Sequence, residues 1–489
     1  MMADPGTSPV KNVFVLMLEN HSFDHLLGFS GVTGTDAETG QPTAINGLTG
    51  NESNSFNGTP FKVQPGADFS MPLDPGHEFP DVLMQLTGLS SYNPANGYPS
   101  INNSGFVKDY ASAGGKEQDI MNCFSPQQLP VLNTLAKEFA VCDNWFSSLP
   151  GPTLPNRFFV HAATSGGLDH SPTNAQIELW ETLSGMSFQN GTIFDQLRAK
   201  FDNPYRLYRG DNGFVTDLFP NVAELKGISS LEAHSMDDFA ADLQDLSYNY
   251  PYTFIEPSYG NVSGNTYKGG SSMHPMDDAT SGEALIKQVY EAIRKSPLWP
   301  QSLFILIWDE HGGFYDHVQP PKAIPPGDPE LHEGMTAFGF DFSRYGVRVP
   351  AVIVSPLIPK GTIDHRLYDH SSVPATLEKQ FKLKPMTKRD ANANSVLPLL
   401  SLSTPRTDAL TVLPNPANSG LALTTASTAA NLALPASRGS LPLFLHAALK
   451  ADVENTPGSK DAIHAEFKQI NTRGEAEAYM EKVKAKIGK

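Results

Sequence analysis

Two polar pairs, Glu19-Asn20 and Asp309-Glu310, each stand directly after a run of apolar residues. Carboxylates and a carboxamide are oxygen donors, and oxygen donors gathered in one place hold a hard or borderline divalent cation. One pair alone would serve equally well as a helix cap or a patch of surface, and it is the presence of two that points to a cation. Ser22 beside the first pair and Gly312-Gly313 beside the second leave room for a ligand to come close. A third element, Gly151-Pro152-Thr153-Leu154-Pro155-Asn156-Arg157, reads as a tight turn opening a helix, with Pro155 near the first helical position. A Thr153 hydroxyl there would lie among free backbone N–H groups at the positive end of the helix, which suits an alkoxide and an incoming phosphoryl oxygen. The same placement suits a plain N-cap. Histidines complete the set. His77 and His274 sit in the stiff turns Asp74-Pro75-Gly76-His77 and Met273-His274-Pro275; His311 follows the second pair, His317 follows Tyr315-Asp316, and His370 follows Tyr368-Asp369. Imidazoles beside a phosphate bind its oxygens or protonate a leaving group.

Strands must carry the two pairs. Residues 13–18 and 302–308 are continuous apolar runs, the pattern of strands buried on both faces, and residues 349–354 form a third. In open α/β sheets ligands bind at the carboxyl ends of strands, so parallel strands would bring Glu19-Asn20 and Asp309-Glu310 to one rim. Between them, residues 282–294 place Leu285, Ile286, Val289 and Ile293 at helical spacing, with Pro297 as the stop. Residues 129–139 and 190–200 are further helical stretches. Residues 33–75, rich in Gly, Asn, Thr and Pro, read as a long irregular insertion. The expected fold class is α/β, with a catalytic domain over residues 1–399. Residues 400–489 form a small, mainly helical C-terminal appendage. Its helices begin at 441–450 and continue with stripes through Ile463, Phe467 and Ile470, then Tyr479, Met480, Val483 and Ile487. Lys482, Lys484 and Lys486 in the last turns suit the helix dipole. Apolar stripes on helices this short need burial against the main domain or against another subunit, so a homo-oligomer or a lid role is expected.

The net charge of −17 argues against nucleic acid as a partner, since that affinity rests on Lys and Arg neutralising phosphates. It does not exclude an anionic substrate, because a local metal ion can outweigh the global field. Cys123 and Cys142 are too few for a disulfide framework, and they form either one bond or two buried thiols. The start of the chain carries neither a basic segment nor a long apolar run, so the expected location is the cytoplasm, or the exterior by a route without a Sec signal.

These motifs together resemble the bacterial phosphoesterase family that contains phosphatidylcholine-type phospholipases C and an acid phosphatase, within the alkaline-phosphatase-like superfamily. The segments that carry the resemblance are Glu19-Asn20-His21-Ser22-Phe23-Asp24-His25, Asp74-Pro75-Gly76-His77, residues 150–157, His274-Pro275, residues 308–317 and Tyr368-Asp369-His370. The resemblance implies a three-layer sheet flanked by helices. It implies a metal held by Glu19, Asn20, Asp309 and Glu310 and able to touch Thr153, which occupies the nucleophile position. His77 and His274 match histidines around the bound phosphoryl group; His311, His317, His370 and Asn156 would support them. Many members have Arg where this chain has His21.

The expected function is therefore a metal-dependent phosphoric-ester hydrolase. Specifically, it would be a phospholipase C releasing phosphocholine and diacylglycerol from phosphatidylcholine through a phospho-threonine intermediate, with transient contact at a membrane surface. The ion is open among zinc, calcium, magnesium and manganese. An acid phosphomonoesterase is the alternative within the same chemistry, and an inactive binding or assembly protein on the same fold is the alternative outside it. Trp145, Trp180, Tyr208 and Tyr259 are aromatic residues that could cage a quaternary ammonium.

Overall fold

A computed structural model of the chain describes residues 9–173, 176, 185–422, 425–437 and 439–488. The apolar runs build a central sheet. Its strands, in chain order, are β1 (Asn12–Leu18), β2 (Thr33–Asp36), β3 (Pro42–Ala44), β4 (Ala140–Cys142), β5 (Arg206–Arg209), β6 (Ala233–Ser235), β7 (Tyr252–Glu256), β8 (Ser302–Trp308), β9 (Ala351–Val354) and β10 (Thr362–Asp364). Across the sheet they stand in the order β6-β5-β7-β1-β8-β9-β4-β10-β2-β3. Every residue of β1, β7 and β8 is buried, which is why β1 and β8 read as near-continuous apolar runs instead of alternating.

β1 and β8 are parallel, with Leu18 opposite Trp308, so both polar pairs leave the sheet at the same rim. The third run behaves differently. β9 is antiparallel to both of its neighbours, β8 and β4, and the Ser355 hydroxyl beyond its end donates to the carbonyl of Ser302 at the start of β8. It ends at the rim opposite the site, because composition marks a buried strand without giving its direction. The stretch 33–75 is also more ordered than its composition suggests. β2 and β3 extend the edge of the main sheet, and Ser53–Phe56 pairs with Thr59–Lys62 as a hairpin around Asn57-Gly58, both at positive φ.

Helices flank the sheet. The helix Ala279–Lys295 is capped by Asp278, which accepts from the Thr280 N–H, and it ends two residues before Pro297. Its buried Glu283 accepts from the N–H groups of Val131 and Leu132 at 2.9 and 2.7 Å. A carboxylate thus supplies the first turn of the helix Pro130–Glu138. Cys123 and Cys142 are two buried, free thiols.

The C-terminal stripes are buried on this same core. Leu441–Asn455 carries Leu441, Phe444, Leu445 and Ala448 into it, followed by Ile463 and Phe467 of Lys460–Phe467 and by Tyr479, Met480 and Val483 of Arg473–Lys486. Lys450, 2% exposed, donates to the carbonyls of Ala223 and Leu225 at 2.8 and 2.7 Å and also to that of Ile228. Lys450→Ala is expected to cost about 1–3 kcal/mol, read from a urea transition, because buried carbonyls lose their donor.

Candidate active site

The rim at the ends of β1 and β8 is tightly built. Asn20 takes a left-handed backbone conformation, φ 51°, which Asn tolerates better than most residues. Its N–H donates to Asp309 Oδ1 at 3.2 Å; its carboxamide Nδ2 donates to Thr153 Oγ1 at 3.2 Å and to Glu310 Oε1. The Gly312 N–H donates to Glu310 Oε2 at 2.7 Å. A Cβ at Gly312 would fall 2.2 Å from the Asn20 carbonyl oxygen, and φ there is 62°, so the close approach requires glycine.

Thr153 is the first residue of the helix Thr153–Ala162, and Pro152, not Thr153, is the cap. Pro155 consequently stands two residues further into the helix than the sequence pattern suggested. The Thr153 hydroxyl faces Asn20. Asn156 sets the turn: its Oδ1 accepts from the Leu149 N–H at 3.1 Å, and its Nδ2 donates to the carbonyls of Gly151 and Pro152 at 2.9 and 3.1 Å. One turn beyond Thr153, buried Arg157 donates through Nε to Asp309 Oδ2 at 2.9 Å and through Nη2 to the carbonyls of Met17 and Leu18. Residue type and motif do not single out Arg157; its spacing of four residues from Thr153 puts both on one helix face once the helix is known.

The charges here do not balance. Glu19, Asp309 and Glu310 are each fully buried beside one guanidinium. Burial, reinforced by Asp309, pushes Glu19 up to about 8; burial, opposed by Arg157, leaves Asp309 raised to about 6. Both Glu19 oxygens and Asn20 Oδ1 are buried without a hydrogen-bond partner. Orphaned, buried oxygen donors with excess negative charge are the donor set a divalent cation fits.

Facing this rim, ligand atoms of Asp74, His77 and His274 lie within 4.8 Å of one another, a group that could also hold an ion. The two imidazoles differ. His274 Nδ1 accepts from the Met276 N–H, so its proton is on Nε2, 3.7 Å from Asp74 Oδ2; burial holds it well below the ordinary value and neutral. His77 Nδ1 lies 2.9 Å from the Pro75 carbonyl oxygen and donates to it. Burial alone would lower His77, but the Glu310, Asp74 and Glu78 carboxylates raise it to about 10, which favours the imidazolium. His311 and His370 brace the acidic pair. His311 Nε2 donates to Gln85 Oε1 at 2.7 Å, with Nδ1 3.3 Å from Glu310 Oε2. His370 Nε2 donates to the Asp309 carbonyl at 2.6 Å, and its Nδ1 accepts from Trp145 Nε1.

His317 belongs elsewhere. Its Nδ1 is 2.7 Å from Asp24 Oδ2 and its Nε2 3.1 Å from Asn46 Oδ1, so it touches none of the four proposed ligands. Asp24, Asp316 and His317 also converge, but the buried Arg348 guanidinium already bonds both carboxylates, at 2.8 and 3.1 Å. This cluster is a charge-compensated pin between the end of β1 and the start of β9. Arg348→Ala, which strands two buried carboxylates, is expected to cost about 3–5 kcal/mol of stability in chemical denaturation. His21, where Arg is common in the resembling family, pairs with His25 through Nδ1 at 2.8 Å, and burial holds it at about 3, leaving the position uncharged.

The suggested aromatic cage does not form from Trp145, Tyr208 and Tyr259. Each is buried with its polar atom engaged, by His370, Asp242 and Glu256 respectively, and Trp180 lies outside the described residues. No helix among the described residues is long and apolar enough to cross a membrane.

A mixed α/β sheet with two acidic strand ends at one rim, a helix-start hydroxyl between them and imidazoles opposite defines a hydrolase acting on phosphoester bonds. The chain belongs to the Phosphoesterase family, whose model matches residues 10–384. It is 39% identical over 425 residues to non-specific phospholipase C6 of Arabidopsis thaliana, covering 83% of this chain and 75% of that protein. It is 26% identical over 418 residues to phospholipase C B of Mycobacterium tuberculosis, covering 77% and 74%. Among solved structures, a protein in the alkaline phosphatase superfamily from Vibrio parahaemolyticus matches with a TM-score of 0.31 and 18% identity, over 55% of this chain and 64% of that one.

Proposed function

We propose that this hydrolase is a phospholipase C in which Thr153 is the nucleophile and phosphatidylcholine a substrate. The observation that carries the reading is the Thr153 hydroxyl at a helix start, bonded to Asn20, which in turn bonds Asp309 and Glu310 at a rim whose carboxylates outnumber the one guanidinium of Arg157. Glu19, Asn20, Asp309 and Glu310 would hold a divalent cation, which when bound supplies the positive charge that lowers the pKa of the Thr153 hydroxyl.

The residues then divide the work. Thr153 attacks as the alkoxide, its hydroxyl proton released to solvent beforehand, and Oγ1 forms a bond to phosphorus as the bond from phosphorus to the diacylglycerol oxygen breaks in line with it. The helix-start N–H groups and His274 Nε2–H donate to the phosphoryl oxygens as charge builds on them. His77, an imidazolium, gives its Nε2 proton to the departing alkoxide; the Pro75 carbonyl keeps the other proton on Nδ1. His77 Nε2 is then a lone pair. It takes a proton from the water that attacks phospho-Thr153, which releases phosphocholine and restores both groups. Each such proton transfer is worth about 10²–10⁴-fold.

Similarity to proteins named as phospholipases C supports a diester substrate over a monoester. Parallel assays of phosphatidylcholine vesicles and a simple aryl phosphomonoester test this. Higher kcat/KM on the diester is expected, and turnover of the monoester alone would reverse the assignment to a phosphatase.

A further inference from the structure

His274 projects from a loop with an unusual backbone. Asn265, Tyr267 and Met273 all adopt positive φ, at 54°, 55° and 68°, a region that non-glycine residues occupy only when their surroundings hold them there. Tyr267 and His274 are thereby laid face to face, ring centroids 3.5 Å apart and planes 5° from parallel, and both side chains are buried. With Met276 N–H on Nδ1 and Tyr267 across the ring face, the imidazole has one orientation.

What holds the loop is the C-terminal region. Asn261 Nδ2 donates to the Thr425 carbonyl at 2.6 Å and to Ser427 Oγ at 3.0 Å, and Asn431 Nδ2 donates to the Gly264 carbonyl at 2.7 Å. Buried Arg473 donates to the Val262 carbonyl at 2.6 Å, and the Ser440 N–H reaches the Tyr267 hydroxyl at 3.4 Å. The packing there is close: a Cβ on Gly439, φ 65°, would stand 3.1 Å from that hydroxyl.

The geometry points to Tyr267 as a positioning residue for His274, and to residues 425–473 as the strap that keeps the Tyr267 ring against the imidazole. We infer that the C-terminal segment, beyond the residues the family model matches, is a working part of the active site and acts through this one stacked pair. The inference rests on the reading above that His274 donates to the phosphoryl group.

A double-mutant cycle tests it on the full-length protein with phosphatidylcholine. Tyr267→Leu should lower kcat about 10- to 100-fold, as misplacement of a donor by an ångström does, with KM little changed. Tyr267→Phe, which keeps the ring, should restore most of the rate. In a His274→Gln background, Tyr267→Leu should have almost no further effect, because the group it positions is gone. A merely structural role would lower kcat equally in both backgrounds, and that additive result overturns the inference while leaving the role of His274 standing. An unchanged kcat for His274→Gln alone overturns both. If Tyr267→Leu does not fold, Arg473→Met keeps the Tyr267 side chain and loosens the strap that holds it against the imidazole. It is read by the same cycle: a loss of rate confined to the His274 background supports the inference, and additivity or no loss overturns it.

Discussion

Thr153→Ala is expected to lower kcat on a phosphodiester by about 10⁴–10⁶-fold, the range seen when a nucleophile that works in concert with its neighbours is removed. The fold should survive. Oγ1 receives a single hydrogen bond, from Asn20, while the turn itself is held by Asn156 and the helix is capped at Pro152. Melting temperature should therefore move little while activity disappears. Thr153→Ser keeps a hydroxyl in the same place and should retain activity within about 10–100-fold, the extra freedom of the unbranched side chain accounting for the loss. Near-normal turnover by a folded Thr153→Ala protein would remove the nucleophile assignment and leave the rim as a binding site only.

Glu19→Gln is the second large effect. The substitution keeps the shape of a residue whose two oxygens have no protein partner, and removes one of the charges that make the rim fit a cation. Bound metal should fall well below one equivalent and kcat by at least about 10²-fold. Asp309→Asn should do the same at a cost in stability, because Arg157 would be left without its carboxylate. The metal-free protein offers an independent reading. Glu19 is raised from 4.5 to about 8 by burial and then by Asp309, so between those values the folded state holds a proton that the unfolded state has released. Stability in chelator should consequently fall as pH rises through that window, and Asp309, raised to about 6, adds to the fall in its lower part. Glu19→Gln should flatten the slope, and so should a cation that holds Glu19 ionised. A melting temperature in chelator independent of pH from about 5 to 8, or equally dependent in Glu19→Gln, would show that Glu19 is not the strained group described.

Much of this arrangement was legible in the chain because buried strands announce themselves. Residues 13–18 and 303–308 are apolar without interruption, and each gives way abruptly to polar residues, so the sequence alone places Glu19-Asn20 and Asp309-Glu310 at strand ends. The direction of 349–354 could not be read, since a buried strand looks the same in either direction. Local turn chemistry hid the strands in 33–75, where short edge strands and a hairpin carry the Gly, Asn and Thr of a loop. Within the site, residue type and local motif singled out Thr153, His77 and His274. They could not reveal Arg157 bonding Asp309, or Tyr267 lying on His274, because both depend on pairings across more than one element. The same limit explains His317, which the family resemblance groups with the residues supporting the site and whose bonds go to Asp24 and Asn46 instead.

The central claim is covalent: the phosphoryl group rests on Thr153 between two displacements. Rapid acid quench during steady-state turnover of a short-chain phosphatidylcholine, followed by proteolysis and mass spectrometry, tests it directly. Phospho-threonine is stable to acid while the enzyme is not, so an intermediate present at quench is preserved. The expected result is phosphocholine esterified to Thr153 on the peptide that contains the Pro150-Gly151-Pro152 turn. It should be absent without substrate and from Thr153→Ala; His77→Gln, which lacks both the acid for the first displacement and the base for the second, should turn over more slowly with the adduct still at Thr153. A fully active enzyme that carries no adduct at Thr153, in the wild type or in His77→Gln, would contradict the account and require water to attack the diester directly.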